Sequence, residues 1–287
     1  MKISLIGVGL MGQALSEHLI AENQQLTLFN RDANKTIQLE QQGAEIAASA
    51  QDAIIASDFC LLMLSDAAAI NDVLDSIPDQ SFKNKTLIQM GTIAPNESRS
   101  IAKYITDNDG HYLECPVLGS LPEARTGTLI LMAGGSDDDY RAALPLLNLI
   151  GKEPRHIGGI GQGSTVKLAI NQLIAGLTSS FALSLSLVKK EGIDVEQFMK
   201  IVRDSALYAP TFDKKLDRMI ERDFSNPNFP TKHLAKDTKL FLSVAKQLGL
   251  ETCALEGISQ LLDKTLEQGL ADTDYSAIYS GVSKPIQ

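Results

Sequence analysis

Short apolar runs alternate with stretches of helical periodicity over the first half of the chain. The runs at 2–6, 25–29, 59–63, 86–89 and 111–114 have the length and aliphatic content of buried strands. Between them, apolar residues recur at helical spacing near 11–21, 33–42, 66–75 and 95–108. Strand and helix alternating at this interval predict a parallel sheet with right-handed crossovers. A further strand is expected over 128–133, which Gly134-Gly135 breaks before a helix over 137–150.

The pattern changes after residue 160. One helix is predicted from about Ser164 to Glu191, ending at Gly192, and at 1.5 Å per residue it would be about 42 Å long. Helical periodicity then covers 194–204, 211–222, 231–248, 251–268 and 272–279. Two domains are expected: an α/β domain over 1–162 and an all-helical one over 163–287. Leu168 to Val188 carries no charge, but its seven polar residues favour a helix buried against protein over a membrane span.

Composition narrows the function classes. Of 287 residues, 44% are hydrophobic and 21% charged, as in a globular protein. Tryptophan is absent, aromatics are 5% and the net charge is −9, which speaks against nucleic-acid binding. The excess of acid lies wholly in 1–162, which holds 11 basic and 20 acidic residues, against 15 and 15 in 163–287. Cys60, Cys115 and Cys253 lie far apart and suggest free thiols. A strand-like run begins at Lys2 where a signal peptide would place a basic and then an apolar region, so a cytoplasmic location is expected. The neutral second part and its apolar helix predict a homodimer or homotetramer built on the C-terminal helices.

Gly7-Val8-Gly9-Leu10-Met11-Gly12 fits G-x-G-x-x-G between a strand and a helix, the context that makes it a dinucleotide-binding loop. Gly7 suits the tight turn, Gly9 the approach of a pyrophosphate and Gly12 close packing of helix on strand. The second strand ends before Asn30-Arg31, where an NAD-binding fold places an acidic residue. Asn30 does not repel a 2′-phosphate, Arg31 can pair with it, and Lys35 adds charge, so NADP(H) is expected over NAD(H). A solvated turn is the competing reading of Arg31. Asp32 is expected to cap the helix at 33–42.

Gly158-Gly159-Ile160-Gly161-Gln162-Gly163 precedes the long helix, and Lys167 and Asn171 follow one turn apart. Lys167 is the only lysine, arginine or carboxylate between Arg155 and Lys189. Its spacing fits both a proton-transfer lysine in a desolvated pocket and a lysine reaching solvent at a domain edge.

These segments together resemble the β-hydroxyacid dehydrogenase family, which includes 3-hydroxyisobutyrate dehydrogenase and the NADPH-dependent glyoxylate and succinic semialdehyde reductases. The resemblance covers nearly the whole chain. It rests on Gly7–Gly12, on Glu114-Cys115-Pro116-Val117 with Gly119, Ala124, Gly127 and Thr128, on Gly158, Gly161, Gly163, Lys167 and Asn171, and on Lys236-Asp237 after Phe229-Pro230. It implies a Rossmann domain followed by an all-α domain, as in 6-phosphogluconate dehydrogenase, with the active site in the cleft between them. It implies that Lys167 is the general acid and that Asn171 orients substrate and lysine. Met63, Leu64 and Ser65 would line the cofactor, Thr92 would lie near the nicotinamide ribose, and Lys236 would reach the cofactor from the second domain. Phe229 and Asp237 would border the active site.

One departure bears on the substrate. The family usually has Ser-Gly-Gly after Pro-Val, and this chain has Leu118-Gly119-Ser120. Leu118 cannot bind a carboxylate. Either Gly119 and Ser120 take over that task or the substrate is less polar than a typical semialdehyde acid. No metal is expected, since His18, His111, His156 and His233 show no ligand spacing. The reading is an NADPH-dependent reductase of a small aldehyde or ketone. The alternatives are an imine reductase-like activity, against which Lys167 speaks and for which Leu118 speaks weakly, and a non-catalytic dinucleotide-binding homologue, against which Lys167, Asn171 and Lys236 speak together.

Overall fold

Alternate residues along the short strands face opposite sides of one sheet, and both sides are covered by helices. The computed structural model describes residues 1–283. Its first half runs β1 (Lys2–Ile6), α1 (Leu10–Ala21), β2 (Gln25–Phe29), α2 (Ile37–Gln41), β3 (Glu45–Ile46), α3 (Ala50–Ala56), β4 (Phe59–Leu62) and α4 (Ala67–Leu74). It continues through β5 (Thr86–Gln89), α5 (Pro95–Asp107), β6 (His111–Glu114), β7 (Val117–Leu118), α6 (Leu121–Arg125), β8 (Ile130–Gly134), α7 (Asp137–Ile150) and β9 (Arg155–Gly158). Leu5, Leu28, Leu61, Ile88 and Leu113 point to one face and pack with Leu15, Leu19, Leu146 and Leu147. Ile6, Leu62, Leu87 and Tyr112 point to the other and pack with Ile54, Ile70, Ile101 and Ile105.

Strands β3, β2, β1, β4, β5 and β6 lie side by side in that order, and each neighbouring pair is parallel. The order reverses between β1 and β4, where doubly wound sheets bind ligands beyond the strands' carboxyl ends. The parallel part stops at β6. Strand β8 pairs antiparallel with β6 and β7, and parallel with β9. The stretch 33–42 is a 3-10 turn at Ala33–Lys35 followed by α2, rather than one helix, and the Asp32 carboxylate accepts from the Asn34 amide at 3.1 Å.

The long helix α8 (Gln162–Lys190) is, among the described residues, the one helix long and apolar enough to cross a membrane. The compact units divide inside it, at Lys167/Leu168, rather than at residue 162. Hydrogen bonds from Gly161 and Ser164 to Glu114 fasten its first turn to β6, which draws that turn into the first unit. The second unit adds α9 (Val195–Asp204), α10 (Pro210–Glu221), α11 (Thr231–Gln247), α12 (Cys253–Glu267) and α13 (Ile278–Val282). Its core joins Ala175, Phe181 and Leu185 of α8 to Met199, Leu216, Leu234, Leu262 and Ile278. A buried Lys215–Asp274 ion pair at 2.8 Å holds the turn before α13.

Candidate active site

The loop from β1 to α1 is built by close approach on one side and open space on the other. Gly7 has φ +105°, and a Cβ there would lie 2.4 Å from the Met63 carbonyl oxygen. A Cβ on Gly12 would lie 2.1 Å from the carbonyl oxygen of Gly7. A Cβ on Gly9 would meet nothing within 4 Å. Ser49, Asp66, Ser136 and Asp194 cap α3, α4, α7 and α9, but no side chain caps α1 and its first turn carries no acid. Backbone N–H groups at an uncapped helix start, under open space, fit a pyrophosphate. Val8 is buried, Met11 half-buried and Leu10 exposed beside them.

Asn30 braces this loop. Its Oδ1 accepts from the Val8 amide at 2.9 Å, and its Nδ2 donates to the Asp32 carbonyl at 2.8 Å. Its amide group is thus engaged within the protein. Arg31 and Lys35 are exposed just beyond β2. The Asp32 carboxylate between them is turned back to the Asn34 amide. After β4, the Met63 amide continues the sheet by donating to the Ile6 carbonyl at 2.9 Å. Met63 and Leu64 are half-buried there and Ser65 is exposed, while Thr92 is half-buried beyond β5.

The segment after β6 differs from expectation in its polar groups. Leu118 is half-buried and pairs with Ile130. Gly119 is exposed. The Ser120 amide and hydroxyl both donate to the Glu123 carboxylate, at 2.8 and 2.6 Å. Ser120 is therefore no ready replacement for the missing serine, because both its donors are engaged. Burial pushes the thiols of Cys60 and Cys115 up to about 12, so neither is a nucleophile at neutral pH. Among the described residues, no group of three or more His, Cys, Asp or Glu is placed to hold a metal ion.

Lys167 is half-buried in the second turn of α8. Asn171 is 2% exposed and donates through Nδ2 to Oδ2 of Asp237, itself 3% exposed, at 2.6 Å. Asn171 Oδ1 is buried with no hydrogen-bond partner. Asp237 Oδ1 lies 3.0 Å from Lys236 Nζ, an ion-pair contact without hydrogen-bond alignment. The Phe229 ring lies parallel to His233 and edge-on to Tyr275. Burial, and then the nearby Lys236, hold the His233 imidazole below its ordinary range, which favours its neutral form. Asn171, Asp237 and Lys236 are thus joined by contacts within the second unit. Glu114 and Asn30 are the structural contributors that sequence reasoning missed in these roles, since their partners lie far along the chain.

Comparison with known proteins identifies the family. A family model described as the NAD binding domain of 6-phosphogluconate dehydrogenase matches residues 2–160. One described as the NAD-binding region of NADP-dependent 3-hydroxyisobutyrate dehydrogenase matches residues 161–282. The chain is 29% identical to glyoxylate/succinic semialdehyde reductase 1 of Arabidopsis thaliana, over 98% of each protein. It is 32% identical to 2-hydroxy-3-oxopropionate reductase of Escherichia coli, over 94% of this chain and 97% of that one. Its fold matches that of 3-hydroxyisobutyrate dehydrogenase of Mycobacterium tuberculosis, solved with L-serine, with a TM-score of 0.88 at 20% identity over 99% of each chain. The chain belongs to the β-hydroxyacid dehydrogenase family of NAD(P)-dependent oxidoreductases.

Proposed function

We propose that the protein is an NADPH-dependent reductase that converts a small aldehyde or ketone, of the semialdehyde or oxo-acid kind, into the hydroxy compound. A bound nicotinamide supplies the hydride. Lys167 Nζ donates the proton to the carbonyl oxygen as its charge develops, and takes it back in the reverse direction. Asn171 Oδ1 accepts a hydrogen bond from the lysine or, once the carbonyl is reduced, from the hydroxyl of the product. The observation that carries this reading is the Asn171–Asp237 hydrogen bond, which orients a buried, unpartnered acceptor one helical turn beyond Lys167.

The preference for NADP(H) is supported by the exposed Arg31 and Lys35 and by an Asp32 carboxylate engaged with Asn34. Thr92, Met63, Leu64, Ser65 and Lys236 serve as further cofactor contacts, and Leu118, Gly119, Phe229 and Asp237 as substrate contacts. The apolar Leu118 and the occupied Ser120 serve glyoxylate worst, because its carboxylate adjoins the carbonyl. A semialdehyde with a longer chain can place its carboxylate elsewhere. NADPH oxidation measured over semialdehydes, glyoxylate and cyclic imines tests this. Semialdehydes are expected to turn over fastest, and a clear preference for cyclic imines would replace the proposed activity with imine reduction.

The working form is a homodimer or homotetramer. Leu173, Leu177, Leu183 and Leu187 of α8 are exposed, and a second copy of the chain is the partner we assign to them.

A further inference from the structure

We infer that Glu114 is the positioning residue for Lys167, holding the first turn of α8 so that the lysine leaves the second turn in a fixed direction. The inference rests on the proposed role of Lys167 as proton donor.

Glu114 ends β6 and is fully buried. Its Oε1 accepts the backbone N–H groups of Gly161 and Ser164, at 2.8 and 3.1 Å. Its Oε2 accepts the hydroxyl of Ser164 at 2.7 Å and that of Ser98, from α5. Ser98 Oγ lies in turn 2.9 Å from the Tyr112 hydroxyl. One carboxylate therefore ties β6, α5 and the start of α8 together. The neighbouring glycines make the room. A Cβ on Gly134 would lie 2.5 Å from Glu114 Oε1, and one on Gly163 would lie 2.4 Å from the Met132 carbonyl oxygen and 3.2 Å from Oε1.

The first N–H groups of a helix have no intrahelical acceptor, and they form its positive end. Glu114 supplies acceptor and negative charge at that end, with charge-assisted bonds that are short and directional. Ser164, which makes two of the four bonds, precedes Lys167 by one turn. A helix is stiff over one turn, so an error in the first is carried to the lysine. A cationic side chain near a helix start is also disfavoured by the dipole, and the Glu114 charge offsets this.

The test compares Glu114→Gln, Ser164→Ala and Lys167→Ala with the wild type. Steady-state kcat and KM are referred to NADPH-binding sites titrated by fluorescence, with thermal midpoints recorded alongside. Glu114→Gln keeps the shape of the side chain and removes one acceptor oxygen and the charge. We expect it to lower kcat about 10- to 100-fold with KM for NADPH within about twofold. Ser164→Ala should lower kcat in the same way by a smaller factor, and it reads the same split if Glu114→Gln does not fold. A purely structural brace would lower the thermal midpoint and the number of binding sites while leaving kcat per site unchanged. That result, with Lys167→Ala inactive, would overturn the positioning role alone. Undiminished turnover in Lys167→Ala would overturn the proton-donor reading, and this inference with it.

Discussion

Asn171 gives its Nδ2 hydrogen to Asp237 at 2.6 Å, so its carbonyl oxygen must face the other way, buried and unpartnered. Only the amide nitrogen can donate to a carboxylate, so the neighbour on α11 determines the orientation of the group on α8. Asn171→Asp keeps the shape and removes that donor, leaving two carboxyl groups in contact. Two such groups cannot both ionise, so one keeps its proton to a higher pH than in the unfolded chain. Unfolded carboxyls ionise at about pH 4, so the variant's stability relative to wild type should fall as pH rises from 5 to 8. Thermal midpoints of this variant and the wild type at both values check the sign, and kcat at neutral pH should be about 100-fold lower.

The glycine loop separates folding from binding. Gly12→Ala drives a methyl group to 2.1 Å from the Gly7 carbonyl oxygen and should cost about 3 kcal/mol of stability. Gly9→Ala meets no protein atom within 4 Å and should leave the thermal midpoint nearly unchanged. It should nevertheless weaken NADPH binding about tenfold or more, because the methyl group would project into the space proposed for the pyrophosphate. Denaturation curves and NADPH titrations of the two variants distinguish these effects.

This contrast also marks what could be read from the sequence. Strands such as 2–6 and 59–62 are legible because most of their residues are apolar and the runs are short. The glycine loop is legible because its constraints act within a few residues. Strands β7 and β9 escaped because one is two residues long and the other is an edge strand carrying Arg155 and His156. Helices α3 and α6 escaped because each is under two turns or nearly so. The candidate residues of the site were named from motifs, but the contacts that hold them were not. Asn30 lies 22 residues from Val8, Glu114 lies 47 and 50 from Gly161 and Ser164, and Asn171 lies 66 from Asp237. Such pairings arise from topology, and periodicity carries no record of them.

The proposed preference for NADP(H) rests on Arg31. Arg31→Glu removes a charge-assisted partner of a 2′-phosphate and puts a repelling charge in its place. The KM for NADPH should rise about 10- to 100-fold while that for NADH stays level or falls. Parallel kinetics with both cofactors measure this directly, and an equal effect on the two would make Arg31 a solvated turn residue.

The exposed leucines of α8 predict association. Leu177→Glu should shift the mass in solution toward the monomer, because a charge in an apolar contact is costly to desolvate. Light scattering with size-exclusion chromatography gives the mass. A wild-type protein that is monomeric at micromolar concentration would remove the basis for the assignment.

If Lys167 provides the proton, its replacement in Lys167→Ala slows the chemical step and spares cofactor binding. NADPH affinity, followed by fluorescence, should stay within about twofold of wild type, because Lys167 is not among the proposed cofactor contacts. Turnover of the best semialdehyde should fall about 100- to 10,000-fold, the usual contribution of a general acid. Near-normal turnover in a variant that still binds NADPH would show that Lys167 is not the proton donor.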